Sequence, residues 1–135
     1  KNDEFVEYTR TFTNCYGTLK CEIDRLLSEG YDILLDINSV GAKNIKKVYP
    51  DAVTIFINPP SLDELKKRLV GRGSETADSL KKRLDEIEFE SKAIPFYDFV
   101  VVNDVALDCS NKIVDFLENK RKELDEKYAK ENSQN

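Results

Sequence analysis

Three apolar runs constrain this chain most: "YDILLDI" (31–37), "AVTIFIN" (52–58) and "YDFVVVN" (97–103). Each is apolar on both alternations. A strand with one wet face alternates, whereas a strand apolar throughout predicts burial on both faces, as in a parallel sheet. Helical patterns separate the runs. "LKCEIDRLLSEG" (19–30) puts Leu19, Ile23, Leu26 and Leu27 on one face and stops at Gly30. "NSVGAKNIKKVY" (38–49) predicts a shorter helix. After Pro59-Pro60, Ser61 with Glu64 three residues on forms a capping box. Ser74 or Thr76 caps the next helix, which runs through "DSLKKRLDEIEFESKAI". A last helix is predicted over 106–128, with Leu107, Ile113, Phe116 and Leu117 inward.

The order after residue 30 is therefore β-α-β-α-α-β-α, which predicts an α/β fold with right-handed crossovers. Residues 1–18 are aromatic, polar and alternating, and predict strands of a small antiparallel subdomain. The tail "KYAKENSQN" is polar and predicted to fray.

Composition excludes several functions. Of 135 residues, 35% are charged and 40% hydrophobic, with a formal net charge of -5. A general binder of nucleic acid or of an anionic membrane lacks its basic footprint here. The chain has no histidine, which excludes a Ser-His-Asp or Cys-His mechanism. Its three cysteines (Cys15, Cys21 and Cys109) form no CxxC pair, so neither zinc nor a disulfide scaffold is expected and the compartment reads as reducing. They have no cationic neighbour and read as structural. No run approaches a membrane span. The start, "KNDEFVEY", has no Met, and neither has the rest of the chain, so a fragment is expected.

An anion bound by such an acidic chain must be held locally, and "LKKRLVGRGSET" (65–76) offers the means. Arg68 and Arg72 share a helix face by their four-residue spacing, Gly73 follows, and Arg83 lies eleven residues beyond Arg72. The plain reading is a solvated helix paired with Asp63 or Glu64. The sharper one is a hinged lid at Gly73 whose guanidiniums close on a phosphate chain and on the charge spread over transferring oxygens.

In α/β sheets ligands sit at the carboxyl ends of strands, where Asp36 and Asn103 fall. Asp36 is either a cap for the next helix or a carboxylate facing a nucleotide and hydrated Mg²⁺. In "NCYGT" (14–18), Tyr16 and Thr18 are either donors to a phosphate or base, or part of a β-turn in which Gly17 takes a special backbone angle. Glu7 is either a solvent-facing strand residue or a carboxylate able to accept both N1–H and N2–H of guanine, a pairing adenine does not offer.

With these residues in view, "FVEY", "YGT", "ILLDINSVGAKNIKK", "AVTIFINPPSLDELKKRLVGRGSET", "KKRLDE" and "YDFVVVND" together resemble the guanylate kinase family over roughly residues 4 to 120. "IFINPPSLDELKKRLVGRGSET" is the most specific part. The resemblance implies a P-loop nucleoside monophosphate kinase fold with a parallel sheet and flanking helices. It divides the chain into a remnant of the GMP-binding β subdomain with its following helix (1–30), core α/β (31–70 and 85–124), a helical lid (71–84) and a polar tail (125–135).

The reaction implied is ATP plus GMP giving ADP plus GDP, with Mg²⁺, in the cytoplasm, by a monomer or homodimer. By position, Glu7 matches the glutamate that reads the guanine edge. Tyr16 and Thr18 match residues holding the GMP phosphate and base, and Asp36 an acidic residue near GMP and the metal's water shell. Arg68, Arg72 and Arg83 match the arginines that grip the ATP phosphates and the transferring group. Asn103 matches the adenine-side asparagine. No direct metal ligand is implied.

Two departures stand out. Asn38 replaces a second aspartate of the family pattern, lowering the charge near the metal. The family's initial strand and GxxxxGK[ST] phosphate loop are absent from these 135 residues, as are upstream arginines for the GMP phosphate. In the family that strand lies between those matched by 31–37 and 52–58. The expectation is a natural chain longer at its N-terminus and little activity from these residues alone, the alternative being two chains exchanging elements.

Two other functions compete. One is a catalytically inert guanylate-kinase-like module that binds protein partners; the other is a P-loop kinase of a different monophosphate. The joint presence of Glu7, Tyr16, Thr18 and the three arginines favours the guanine-specific enzyme.

Overall fold

Val6 and Glu7 are adjacent, yet both are buried, at 8% and 5% exposure. A regular strand does not allow this, because successive side chains point to opposite faces. The computed structural model describes residues 4–11, 14–71 and 76–133. In it, strand β1 (Phe5–Thr11) pairs antiparallel with β2 (Asn14–Leu19). Phe5 stands opposite Leu19 but Glu7 opposite Thr18, so Val6 is the extra residue of a β-bulge. The bulge re-aims the strand and turns both side chains inward.

The chain forms two compact units, Lys1–Thr54 and Ile55–Asn135. In the first, helix α1 (Lys20–Ser28) follows β2 directly. It ends as predicted at Gly30, which adopts a left-handed φ of 85°. The Gly30 N–H donates to the Leu27 carbonyl and the Tyr31 N–H to that of Leu26, a Schellman closure that satisfies the last carbonyls. Of the predicted apolar face, Ile23 is buried and Leu26 half-buried, while Leu19 and Leu27 are exposed. Helix α2 (Ser39–Val48) supplies Ile45, and Val6, Ile23 and Ile45 form the core of this unit.

Residues 31–37 correct the predicted strand order. They have no ladder partner among the described residues. Ile33, Leu35 and Ile37 pack on the core cluster, while Leu34 is 95% exposed. The run is apolar on both alternations but buried on only one. A ladder depends on a neighbouring strand as well as on the run itself.

Tyr49, the residue after α2, ties the two helices together. Its hydroxyl donates to Asp24 Oδ1 at 2.6 Å, and Lys20 Nζ donates to Asp24 Oδ2 at 2.6 Å. Desolvation, then the Asp24 bond, push the Tyr49 phenol up to about 12 from 10.0. A folded-state value above the unfolded one favours folding at pH below about 10, and that contribution is lost as pH rises towards 12. The urea midpoint of the protein should therefore fall more steeply between pH 10 and 12 than that of Tyr49→Phe. Parallel slopes would contradict the contact.

In the second unit, β3 (Ile55–Asn58) and β4 (Phe99–Val102) pair in parallel, Ile55 opposite Phe99 and Asn58 opposite Val102. Between them run α3 (Leu62–Gly71) and α4 (Ala77–Ser91), then a short 3₁₀ turn at Ile94–Phe96. This is the expected α/β arrangement of parallel strands with connecting helices. The caps agree with the sequence: Glu64 N–H donates to Ser61 Oγ at 3.1 Å, and Ser79 N–H to Thr76 Oγ1 at 3.2 Å.

Helix α5 (Ala106–Ser133) packs on β4, with Phe116 stacked on Phe99 at a ring-centroid distance of 4.4 Å. It runs five residues past the predicted end at 128, through the good helix formers of "KYAKEN". Cys109 is buried in it, whereas Leu107 and Leu117 are exposed rather than inward. Burial on both faces of β4 is not found: Val101 is 3% exposed, but Val100 and Val102 are 39% and 47% exposed.

Candidate functional site

The bulge in β1 delivers a carboxylate to a fixed place. Glu7 faces Thr18 across the ladder, and the Thr18 hydroxyl donates to Glu7 Oε1 at 2.8 Å. The solvent-facing reading of Glu7 is therefore excluded by its burial. The β-turn reading of "YGT" is also corrected. Gly17 lies within β2 opposite Tyr8, and its backbone is not left-handed. Glycine is needed there for space: an added Cβ would meet Phe5 Cδ1 at 2.8 Å and the Glu7 carbonyl oxygen at 3.0 Å. Tyr16, two residues before Thr18, is 59% exposed.

The start of α2 lies beside this carboxylate. Asn38, rather than Asp36, caps the helix: its Oδ1 accepts from the Gly41 N–H at 2.9 Å. Asp36 is exposed at the end of the 31–37 segment and is free of the capping role that competed for it. Ser39 is buried at 2% exposure. Gly41 stands against Glu7, whose Oε2 would lie 3.1 Å from a Cβ placed there. Sequence reasoning reached Glu7, Thr18 and Asp36. It missed the cap at Asn38, a local bond to the N–H three residues on, and the contact at Gly41, which is set by packing between elements.

The second unit brings together Arg68 and Asn103. Arg68 Nη1 donates to the Asn103 backbone carbonyl at 2.9 Å, and Nε donates to Glu64 Oε1 at 3.1 Å. The Asn103 N–H donates to the Asn58 carbonyl, extending the parallel ladder by one bond. Arg68 is thus anchored to the strand end where Asn103 stands. The Glu64 pair is solvent-screened and contributes little. The charge-assisted bond to a backbone carbonyl contributes more, so Arg68→Ala should cost about 1–2 kcal/mol of stability in urea denaturation. A cost below about 0.3 kcal/mol would mean the anchor contributes nothing.

Arg83 lies on α4 with an exposed side chain. Arg72 lies outside the described residues, as does Gly73, so the predicted lid hinge does too.

Among the described residues, no three His, Cys, Asp or Glu side chains gather as a metal site. A divalent ion carried on a nucleotide's phosphates would find Asp36 as an exposed carboxylate to approach through water. Cys21 and Cys109 are free thiols, exposed and buried respectively. No described helix is long and apolar enough to cross a membrane.

The first unit thus holds a buried carboxylate with a hydroxyl partner, and the second an arginine anchored at a strand end. The guanylate kinase family model matches residues 1–120. Among solved structures, the chain is similar to guanylate kinase from Anaplasma phagocytophilum, with 28% identity and a TM-score of 0.66. That match covers 88% of this chain and 57% of the other, so the chain spans just over half the length of that relative. The chain belongs to the guanylate kinase family.

Proposed function

We propose that the full-length protein transfers the γ-phosphoryl group of ATP to GMP, giving ADP and GDP. The bond from the γ-phosphorus to the β–γ bridging oxygen breaks, and one to a GMP phosphate oxygen forms. ADP departs with the bridging oxygen. The observation that carries this reading is the buried Glu7 carboxylate, held on one oxygen by Thr18. A carboxylate accepts hydrogen bonds only, and the N1–H and N2–H of guanine are two parallel donors. AMP and UMP do not present that pair.

Tyr16, exposed on β2 two residues before Thr18, reaches for the GMP phosphate. Asp36 lies close to GMP and to the water shell of Mg²⁺. The ion travels with ATP and neutralises charge on its phosphates. Arg68, Arg72 and Arg83 grip the ATP phosphates and the transferring group, the segment 71–84 acting as the lid. Arg68 supports this role in a second way, since its anchor on Asn103 ties the lid-flanking helix to the adenine side. The protein works in the cytoplasm as a monomer or homodimer on small-molecule substrates, with no nucleic-acid or membrane partner.

Equilibrium titration of the full-length protein with GMP, AMP and UMP tests the reading. GMP should bind at least about tenfold tighter than either, the value of one charge-assisted hydrogen bond. Equal affinity for the three would overturn it.

A further inference from the structure

Helix α2 departs from good helix-forming sequence at its third residue. Gly41 is a poorer helix former than alanine, and its φ is not left-handed, so the backbone itself does not call for glycine. Space does. A Cβ at this position would lie 3.1 Å from Glu7 Oε2, 3.3 Å from Ile37 Cβ and 3.4 Å from Asn38 Oδ1. The first two are tighter than ordinary contact, so a neighbour must give by a few tenths of an ångström; the third is ordinary contact.

Two of the three neighbours are poorly placed to move. Ile37 is packed on the core of its unit. Asn38 Oδ1 is committed to the helix cap through the Gly41 N–H itself. That leaves the Glu7 carboxylate, the far end of a flexible side chain. It is held at Oε1 by Thr18 and is 5% exposed, so a shift of Oε2 by a few tenths of an ångström pivots the carboxylate about that bond.

We propose that Gly41 is a positioning residue for base selection: the missing Cβ fixes where Glu7 Oε2 stands, and so whether both carboxylate oxygens meet the base together. This rests on the guanine reading above. Guanine and hypoxanthine share N1–H and O6 and differ only in the 2-amino group. A displaced carboxylate loses the second of two parallel bonds first. The preference for GMP over IMP therefore reports the position of the carboxylate.

The test is the Kd of GMP and of IMP, by calorimetric titration, for the full-length protein, Gly41→Ala, Glu7→Gln and the double variant. The wild type should prefer GMP. Gly41→Ala should reduce that preference about tenfold, one charge-assisted bond's worth. Its melting temperature should change by only a few degrees, the helix preference of alanine offsetting the cost of moving the carboxylate. In the Glu7→Gln background the same substitution should change the preference by less than about twofold, since the carboxylate it acts through is gone.

Gly41→Ala retaining the wild-type preference, or weakening GMP and IMP equally, would overturn the inference while leaving the guanine reading intact. A wild type that binds GMP and IMP alike would overturn both. If Gly41→Ala does not fold, the wild type decides: the Gly41 amide NMR resonance should shift more with GMP than with IMP. Equal shifts would overturn the inference.

Discussion

Glu7→Gln lowers kcat/KM for GMP by about 100-fold or more in the full-length protein, while the fold stays intact. The substitution keeps size and shape. The Thr18 hydroxyl, now 2.8 Å from Oε1, can still donate to an amide oxygen. What changes is the other end of the side chain, where an NH₂ group faces the N–H donors of the base. Two charge-assisted bonds are weakened or lost, at about 1.5–3 kcal/mol each. A donor set against a donor also leaves a buried polar group unpaired, and Glu7 is 5% exposed. The loss should fall mainly on KM, because the base contact is made equally in the ground and transition states. Steady-state kinetics with GMP, alongside a thermal melt, separate this from unfolding. Unchanged kcat/KM would remove Glu7 from the site.

The second large effect is expected at Arg72. Arg72→Ala should lower kcat by about 10²–10³-fold, the usual loss when a donor to developing transition-state charge is removed. KM for GMP should stay within about threefold, because the role proposed for the arginine is toward the transferring group and not the base. Arg68 contrasts with it. That side chain already holds Glu64 and the Asn103 carbonyl, so its replacement should show in stability as well as in turnover. Equal losses of turnover and GMP binding in Arg72→Ala would assign Arg72 a structural role.

Features governed by neighbours along the chain were legible in the sequence. The Ser61 cap and the Gly30 stop were read directly, and Thr76 was one of two caps open for α4, because capping depends on residues three or four apart. The runs at 52–58 and 97–103 do contain the parallel pair. The run at 31–37 looked no different, yet it has no ladder partner among the described residues, because pairing belongs to two segments at once.

The site divides in the same way. Glu7 and Thr18 were recognisable from the family pattern, but the bulge at Val6 that buries Glu7 is a property of register. "YGT" was open to a turn because the space that Gly17 provides is filled by Phe5 and Glu7 from the other strand. Asn38 entered as a departure that lowers charge near the metal. In the structure it also caps α2 through Gly41, a role that no count of acidic residues reveals.

ADP release from the full-length protein, given ATP, Mg²⁺ and one acceptor at a time, decides whether GMP is the phosphoryl acceptor. Turnover with GMP should exceed that with AMP or UMP at least about 100-fold, the discrimination expected when a site's buried polar group is left unpaired. Equal rates with all three acceptors, or no acceptor-dependent ADP release from a folded protein that binds GMP, would contradict it.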